Sequence, residues 1–223
     1  MRLCHVSDSH GQFLPMYGRY DVVVHSGDFF PDPPGNPQFK DQVGLWQLDW
    51  LEHNIPAMKV WLNSSPFLFT LGNHDWADPT MMVQLLNNYG ITAVCLHNKV
   101  IDYGNVHLYG FPYVPAINGQ YNYEREVPEM KKEVQRMVND INNADYVDIL
   151  VCHAPPYQNL DLDISNQILG SPVIANALDY EINPDKMPSY YLCGHIHSAN
   201  GISKRNDLVI SNAARSKHII ELK

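Results

Sequence analysis

Apolar residues in this chain occur in short runs, and most of these runs stop abruptly at small or polar residues. Runs rich in Val, Leu, Ile, Phe and Tyr occupy residues 3–6, 20–25, 67–70, 146–152 and 189–193. Their short length and their enrichment in β-branched and aromatic residues predict buried strands. The polar residues that follow each run are therefore expected at strand ends.

Segments with helical spacing separate these strands. Residues 41–53 place Val43, Trp46 and Trp50 three and four residues apart, and additional leucines widen the apolar surface, which predicts a largely buried helix. Further helices are predicted over residues 79–88, 126–143 and 171–180, with Asp78 and Ser171 as N-caps of the first and the last. The alternation of strands and helices favours the α/β class.

The remaining segments are predicted to be short strands and loops. Residues 93–96, 99–103 and 106–109 are expected to form a β-meander, and residues 208–210 and 218–222 a terminal hairpin. Residues 31–37 contain four prolines and a glycine, which predicts a rigid loop. Residues 111–123 and 154–170 carry no clear period and are expected to be loops.

Composition places the chain among ordinary globular proteins. It has 223 residues, of which 45% are hydrophobic and 17% charged, so neither disorder nor a coiled coil is expected. We expect one domain over residues 1–223. No apolar run approaches the roughly 20 residues of a membrane span, and the amino terminus lacks the features of a signal peptide. A soluble cytoplasmic protein with no membrane association is therefore expected.

The formal net charge is −9, from 15 Lys and Arg against 24 Asp and Glu. A chain of this charge has no broad cationic face for a phosphate backbone, so long nucleic acid is an unlikely substrate. A carboxylate cluster that holds divalent cations would be partly neutralised by them.

Five polar motifs follow strand-like runs. The central one is Leu71-Gly72-Asn73-His74-Asp75, directly after residues 67–70. The others, in chain order, are Asp8-Ser9-His10, Gly27-Asp28, His153 and His195-Ile196-His197. Side chains at the carboxyl ends of parallel strands meet at one edge of a sheet, where open α/β proteins bind ligands. These motifs are therefore expected to form one site.

The residue types in these motifs suit a pair of divalent metal ions. Carboxylate, amide and imidazole groups are mixed O and N ligands for Mn²⁺, Fe and Zn²⁺, with Mn²⁺ the first choice here. Two such ions support hydrolysis of phosphate esters. The candidate ligands share a position at a strand end: Asp8, His10, Asp28, Asn73, His153, His195 and His197. A single histidine more often has a structural role than a metal-binding one. For His25, a structural role and a hydrogen bond that orients a metal ligand are considered equally.

In this order, the five motifs resemble the calcineurin-like metallophosphoesterase superfamily. The resemblance implies a four-layer α/β/β/α sandwich, in which two mixed sheets are flanked by helices. It implies that one metal is held by Asp8, His10 and His197, the other by Asn73, His153 and His195, and that Asp28 bridges them. His74 would be the general acid opposite an attacking metal-bridging hydroxide. Asp75 would support the site electrostatically.

A narrower resemblance connects the surrounding residues to the small MPPED-type phosphodiesterases. It rests on His25-Ser26-Gly27-Asp28, His153-Ala154-Pro155-Pro156 and Gly170-Ser171-Pro172. Phe29, Phe30 and Pro31 follow Asp28 where phosphoprotein phosphatases have an Arg, which argues against that class. The expected substrate is a small phosphodiester or a nucleotide, such as a cyclic nucleotide. A phosphomonoesterase, a nuclease and a non-catalytic scaffold remain alternatives, and the oligomeric state stays open.

Several residues outside the metal set are candidates for contact with substrate. Asn73 and His74 are expected to bind phosphate, and Asn212 to close the site from the carboxyl-terminal region. Arg125, Arg215 and Lys217 are the cations considered for clamping phosphate. Aromatic residues within 111–123 either stack on a nucleobase or pack their own loop, and packing is the favoured interpretation.

Overall fold

The computed structural model describes residues 1–34 and 40–222. Residues 35–37 of the predicted proline-rich loop lie outside this part of the chain. All four predicted helices are present: α1 (Lys40–Leu62), α2 (Pro79–Asn88), α3 (Val127–Asn143) and α4 (Pro172–Asn176). Shorter helical turns follow, a π-helical turn at Ala177–Glu181 and 3-10 turns at Pro184–Lys186 and His197–Ala199.

Two mixed sheets form the centre of the molecule. The strands are β1 (Arg2–Ser7), β2 (Val22–Ser26), β3 (Phe67–Thr70), β4 (Ala93–Cys95), β5 (Val100–Tyr103), β6 (Val106–Phe111), β7 (Val114–Pro115), β8 (Glu124–Arg125), β9 (Ile149–Cys152), β10 (Tyr190–Cys193), β11 (Gly201–Arg205), β12 (Leu208–Asn212) and β13 (Ser216–Glu221). The first sheet has the order β13-β1-β2-β3-β4 and the second the order β11-β12-β10-β9-β6-β5. Most neighbouring strands run parallel, including the edge strand β4 beside β3. The other three edge strands, β13, β11 and β5, are antiparallel to their neighbours.

Alternation of side chains along the buried strands produces the layers. Val22 and Val24 of β2 face the second sheet, where they join Ile149 and Val151 of β9 in one core. Val23 faces the other way and packs with residues of α1 and α2. On the outer side of the second sheet, a third core contains residues of α3 and α4. The architecture is the predicted four-layer α/β/β/α sandwich.

Helix α1 is longer than the pattern at residues 41–53 predicted. Its buried face continues through Ile55, Met58 and Leu62, which recur at helical spacing and join the core beneath the first sheet. Pro56 lies on the exposed side. The packing of that continuing apolar face offsets the backbone hydrogen bond that a proline inside a helix removes.

Two predicted strand pairings are wrong. Strands β12 and β13 do not form a hairpin, because β12 pairs with β10 and β11, whereas β13 crosses to the first sheet and pairs with β1. The predicted β-meander is divided as well, since β4 pairs with β3 while β5 and β6 form a hairpin in the second sheet. Short apolar strands look alike in sequence, so local pattern does not determine which sheet receives each one.

Three strands, β7, β8 and β11, were not predicted. The segment 111–123 was expected to be a loop, but it contains β7, which pairs in parallel with β8. Strand β11 was also missed. Within residues 1–34 and 40–222, no helix is long and apolar enough to cross a membrane.

Candidate metal centre

Seven predicted ligands come from the carboxyl ends of strands in both sheets. Asp8 follows β1, and Asp28 and Asn73 follow β2 and β3. His153 and His195 follow β9 and β10 of the second sheet. The two sets meet across the gap between the sheets, because the His195 backbone amide donates to the Asp8 carboxylate at 2.9 and 3.0 Å.

One group of possible ligands consists of Asp8, His10 and His197. Their ligand atoms lie within 4.8 Å of one another. Asp8 Oδ1 is 3.1 Å from His197 Nε2, and the two Nε2 atoms of His10 and His197 are 3.4 Å apart. Nε2 atoms that converge beside a carboxylate have the arrangement of metal ligands.

A second group consists of Asp28, His153 and His195, with ligand atoms again within 4.8 Å. His153 Nε2 lies 3.2 Å from Asp28 Oδ2 and 3.1 Å from Asn73 Oδ1. Asp28 Oδ2 is also 4.0 Å from His10 Nε2. The carboxylate of Asp28 therefore lies between the two groups.

The backbone at these strand ends adopts uncommon conformations. Asp8, His10, Asp28 and His195 have φ values of 52°, 42°, 56° and 68°. A non-glycine residue in the left-handed region costs on the order of 1 kcal/mol or more, and such residues cluster at functional sites. The surrounding fold holds four such residues in one place.

Glycines allow the groups to approach closely. A Cβ atom at Gly72 would lie 2.6 Å from the Asp28 amide nitrogen and 2.7 Å from His153 Nε2. A Cβ atom at Gly194 would collide with the side chains of Ser7 and Asp8. Any larger residue at either position would displace a candidate ligand.

Hydrogen bonds behind the ligands set the orientation of their rings. His153 Nδ1 donates to the carbonyl of Ser26 at 2.9 Å, which leaves Nε2 as the atom that faces the site. His25 is fully buried and supports two motifs: its Nδ1 accepts from the Gly27 amide at 3.2 Å, and its Nε2 donates to Ser9 Oγ at 3.0 Å. His25 thus braces the loops that carry Asp8 and Asp28.

Burial and charge shift the ionisation of the site in opposite directions. Burial lowers the pKa of His195 to about 4. Burial alone would also lower the pKa of His153, but the carboxylate of Asp28 raises it to about 9. Burial would raise the pKa of Asp28, and His153 instead holds it well below its usual range. In the absence of a cation, a proton on His153 balances the buried carboxylate.

The donor set fits divalent cations. It combines two buried carboxylates, one amide oxygen and four imidazoles, which suits metals that accept mixed O and N ligands. His10 Nδ1 is buried and has no hydrogen-bond partner among the described residues. Asp8, His10 and His197 would hold one cation, and Asn73, His153 and His195 the other, with Asp28 in contact with both.

His74 forms a third group of possible ligands with His10 and Asp32, with ligand atoms within 4.8 Å of one another. Its backbone amide donates to Asp28 Oδ1 at 2.8 Å, and its Nδ1 lies 2.6 Å from Asp32 Oδ1. Burial would lower the pKa of His74, but the carboxylates of Asp28 and Asp32 raise it above its usual value. The His74 ring also packs against Tyr121, with 4.6 Å between ring centroids.

Asp75 is buried behind the site. Its carboxylate accepts hydrogen bonds from the amides of Phe29, Phe30 and Gly72 at 3.1, 2.9 and 2.8 Å. Burial and the charge of Asp28 raise the pKa of Asp75 to about 7. Asp75 therefore joins the loop after β2 to the loop after β3, and its electrostatic role stays a prediction.

Three residues of this site were missed in the sequence. Asp32 was counted only as part of a rigid loop, although a carboxylate four positions after Asp28 was the available signal. Asn122 donates from its backbone to the Asn73 carbonyl at 3.0 Å and from Nδ2 to the Asp75 carbonyl at 2.7 Å. These bonds hold Tyr121 beside His74. Nothing in the local pattern of residues 111–123 indicated Asn122. Tyr121 was considered only as one of the aromatic residues of that segment, with packing of the loop favoured over stacking on a nucleobase.

Asn212 lies beside the site but is committed to the backbone. It is fully buried, its Nδ2 donates to the carbonyls of Leu160 and Ile196 at 3.1 Å each, and its Oδ1 accepts from Ala214 at 3.0 Å. Both amide hydrogens are therefore used in holding the loop of His195. Its predicted contact with substrate has no support in this geometry.

The three candidate cations differ in their surroundings. Arg125 donates to the Glu124 carbonyl at 2.8 Å and lies over the Tyr113 ring. Lys217 donates to the Pro15 carbonyl and lies over the Tyr17 ring. Arg215 is exposed, and its backbone amide donates to the Ser7 carbonyl at 3.0 Å, one residue before Asp8. Of these three residues, Arg215 is the one whose backbone is hydrogen-bonded to the neighbour of a candidate ligand, Asp8.

Comparison with known proteins agrees with this geometry. A family model for calcineurin-like phosphoesterases matches residues 1–199. One crystal structure aligns with a TM-score of 0.68 at 11% identity, over 95% of this chain and 89% of that chain, which shows a shared fold. No curated protein matches the chain in sequence. Because the family model covers most of its length, the chain belongs to the calcineurin-like phosphoesterases, a family of metal-dependent phosphoric ester hydrolases.

Proposed function

We propose that this protein is a phosphodiesterase that uses two divalent cations to hydrolyse small phosphodiesters, such as cyclic nucleotides. The observation that carries the proposal is the position of Asp28 between two groups of ligands, 3.2 Å from His153 and 4.0 Å from His10. A carboxylate in that position suits a pair of cations that share one ligand.

The protein would hold and orient the substrate around these cations. When bound, two divalent cations supply the activation of water and the neutralisation of charge on the phosphoryl oxygens. Asn73 and His74 lie at the end of β3 on the loop that also carries Asp75. Their side chains are the proposed contacts to the phosphate, and Asn73 is also a proposed ligand.

His74 is the proposed general acid. Asp32 holds its Nδ1 atom, which leaves Nε2 to donate a proton to the leaving oxygen. The carboxylates of Asp28 and Asp32 keep the pKa of His74 above its ordinary value, so the ring is protonated over a wider range near neutral pH. Proton transfer from His74 to the departing alkoxide then completes the reaction.

Two of the three candidate cations are already engaged in other contacts, which favours diesters over monoesters. A phosphodiester carries one negative charge, whereas a phosphomonoester carries close to two near neutral pH and needs more positive charge. Arg125 and Lys217 are engaged with carbonyl oxygens and aromatic rings. This distribution of charge supports a diester as the substrate.

A phosphomonoesterase is the second candidate, and one observation favours it. Arg215 is exposed and hydrogen-bonded through its backbone to Ser7, next to Asp8. If its guanidinium reaches the phosphate, it would supply the charge that a monoester requires.

The test is a comparison of two chromogenic esters. The protein would be reconstituted with Mn²⁺, and hydrolysis of bis-p-nitrophenyl phosphate would be measured beside that of p-nitrophenyl phosphate at equal concentrations. A preference for the diester is expected and would justify a screen of cyclic nucleotides. A preference for the monoester would reject the diesterase assignment, and Arg215→Ala would then be expected to lower that activity.

A further inference from the structure

A cleft of roughly 460 Å³ opens beside the loop that carries His195 and His197. One wall is formed by Leu160, Leu162 and Ile168 together with Gln158 and Asp161, and the other by Ser198, Ala199 and Asn200. None of the described residues that line it is Lys or Arg. The cleft is therefore suited to an uncharged apolar group and lacks the cations that a phosphate would need.

The apolar wall belongs to the loop of residues 154–170, and hydrogen bonds hold this loop in place. Leu162 pairs with Ile168 in an isolated antiparallel bridge, and Asp161, which is buried, accepts from the amides of Gln158 and Gly170 at 2.7 and 3.2 Å. Leu162 and Ile168 nevertheless remain 48% and 41% exposed. Exposed apolar side chains that together line a groove are typical of a ligand-binding site.

Hydrogen bonds connect this wall to the candidate metal centre. Ser198 Oγ, one residue after His197, donates to the carbonyl of Leu162 at 2.9 Å. Asn212 Nδ2 bridges the carbonyls of Leu160 and Ile196 at 3.1 Å each. The cleft and the ligand loop therefore share one wall.

We propose that this cleft binds an apolar ester group of the substrate, so that the preferred phosphodiesters carry an alkyl chain of several carbons. This inference rests on the proposed function and narrows the substrate class of that same site from small phosphodiesters to alkyl phosphodiesters, which do not include cyclic nucleotides. The occupant is the uncharged ester group, because it is the part of a phosphodiester that remains when the phosphoryl group is at the metals.

Two diesters with one leaving group test the proposal. Methyl p-nitrophenyl phosphate and hexyl p-nitrophenyl phosphate have the same charge, and hydrolysis of either with one water releases p-nitrophenol and the alkyl phosphate. Each buried methylene is worth about fourfold in kcat/KM. Burial of two of the five extra methylenes in an open cleft therefore predicts roughly a 16-fold preference for the hexyl ester.

The decisive variant is Leu162→Ser combined with Ile168→Ser, and the matched control is Ile164→Ser. Ile164 lies in the same loop of residues 154–170, is 93% exposed and does not line the cleft. The double variant should lose most of the hexyl preference and keep its rate with the methyl ester. The control should retain both. Thermal melting of each variant checks that the fold is intact.

The outcomes separate this inference from the proposed function. Equal kcat/KM for the two diesters in the wild-type protein would overturn the proposed role of the cleft but would not affect the proposed phosphodiesterase activity. If neither diester is hydrolysed, the proposed function fails. Calorimetric binding of hexyl phosphate and methyl phosphate to the Mn²⁺-loaded protein then tests whether the cleft binds an alkyl chain. Tenfold tighter binding of hexyl phosphate, lost in the double variant, would support it, and equal binding would overturn it. The double variant could also keep the hexyl preference and change its oligomeric state. That result would overturn the proposal and would mean that this surface contacts a second copy of the chain.

Discussion

His74 Nδ1 lies 2.6 Å from Asp32 Oδ1, and the two residues are supplied by loops after different strands. His74 follows β3, whereas Asp32 follows β2 and is largely exposed. The contact with Asp32 occupies Nδ1 and leaves Nε2 of His74 available to a substrate.

Asp32→Asn should lower turnover by about tenfold, because the amide keeps a hydrogen-bonding group but removes the charge. Loss of that charge should lower the pKa of His74. The alkaline limb of the pH profile of kcat would then move to lower pH, since the protonated ring is lost earlier. Asp49→Asn is the matched control, because Asp49 pairs with His53 on α1 outside the ligand groups. An unchanged pH profile in Asp32→Asn would contradict the assignment.

His74→Ala should reduce kcat by roughly 10²- to 10⁴-fold, which is the usual contribution of a general acid. Metal content, measured by elemental analysis after reconstitution, should persist. Loss of metal in parallel with activity would mean that His74 is a ligand and that its proposed role as acid is wrong.

Asp28→Asn should weaken both cations together, because the Asp28 carboxylate lies between the two groups. Titration with Mn²⁺ should show two weakened sites in this variant. His197→Ala, by contrast, should weaken one site more than the other. Two fully occupied sites in Asp28→Asn would refute the bridging role.

Metal binding should release about one proton near pH 7.5, because a bound imidazole must be neutral. In the metal-free protein Asp28 raises the pKa of His153 to about 9, so this ring is protonated at that pH. Apparent affinity should therefore rise with pH up to about 9. Calorimetry in two buffers with different ionisation enthalpies measures the proton count, and a count of zero would contradict the expectation.

Asn122→Ala should lower kcat by roughly tenfold while both cations remain bound, since second-layer contacts position the reacting groups. The substitution removes the side-chain hydrogen bond to the Asp75 carbonyl and keeps the backbone bond to the Asn73 carbonyl. It therefore loosens the loop that places Tyr121 against His74. Asn118→Ala is the control, because the Asn118 side chain is exposed and accepts only from Gln120 within the same loop. Equal effects of the two variants would show that general loop packing is responsible.

The candidate ligands were accessible from the sequence because each lies within four residues of the end of a buried strand. Asp8, Asp28 and His153 need only a short apolar run and the rule that parallel strands end at one edge. The four helices were likewise predicted, since their apolar residues recur at helical spacing or follow a recognisable cap. The continuation of α1 to Leu62 was missed because Pro56 suggests an end, and only packing against the first sheet offsets it.

What the sequence by itself determined is the identity of the strand-end groups, their order and the layered α/β architecture. Tertiary structure alone decided that β12 and β13 join different sheets, that Asp32 meets His74, and that Asn122 holds the loop after β3. The physical reason is the range of the interactions. Periodicity and capping act within a few residues, whereas strand partners and loop contacts depend on groups that only the folded backbone brings within hydrogen-bonding distance.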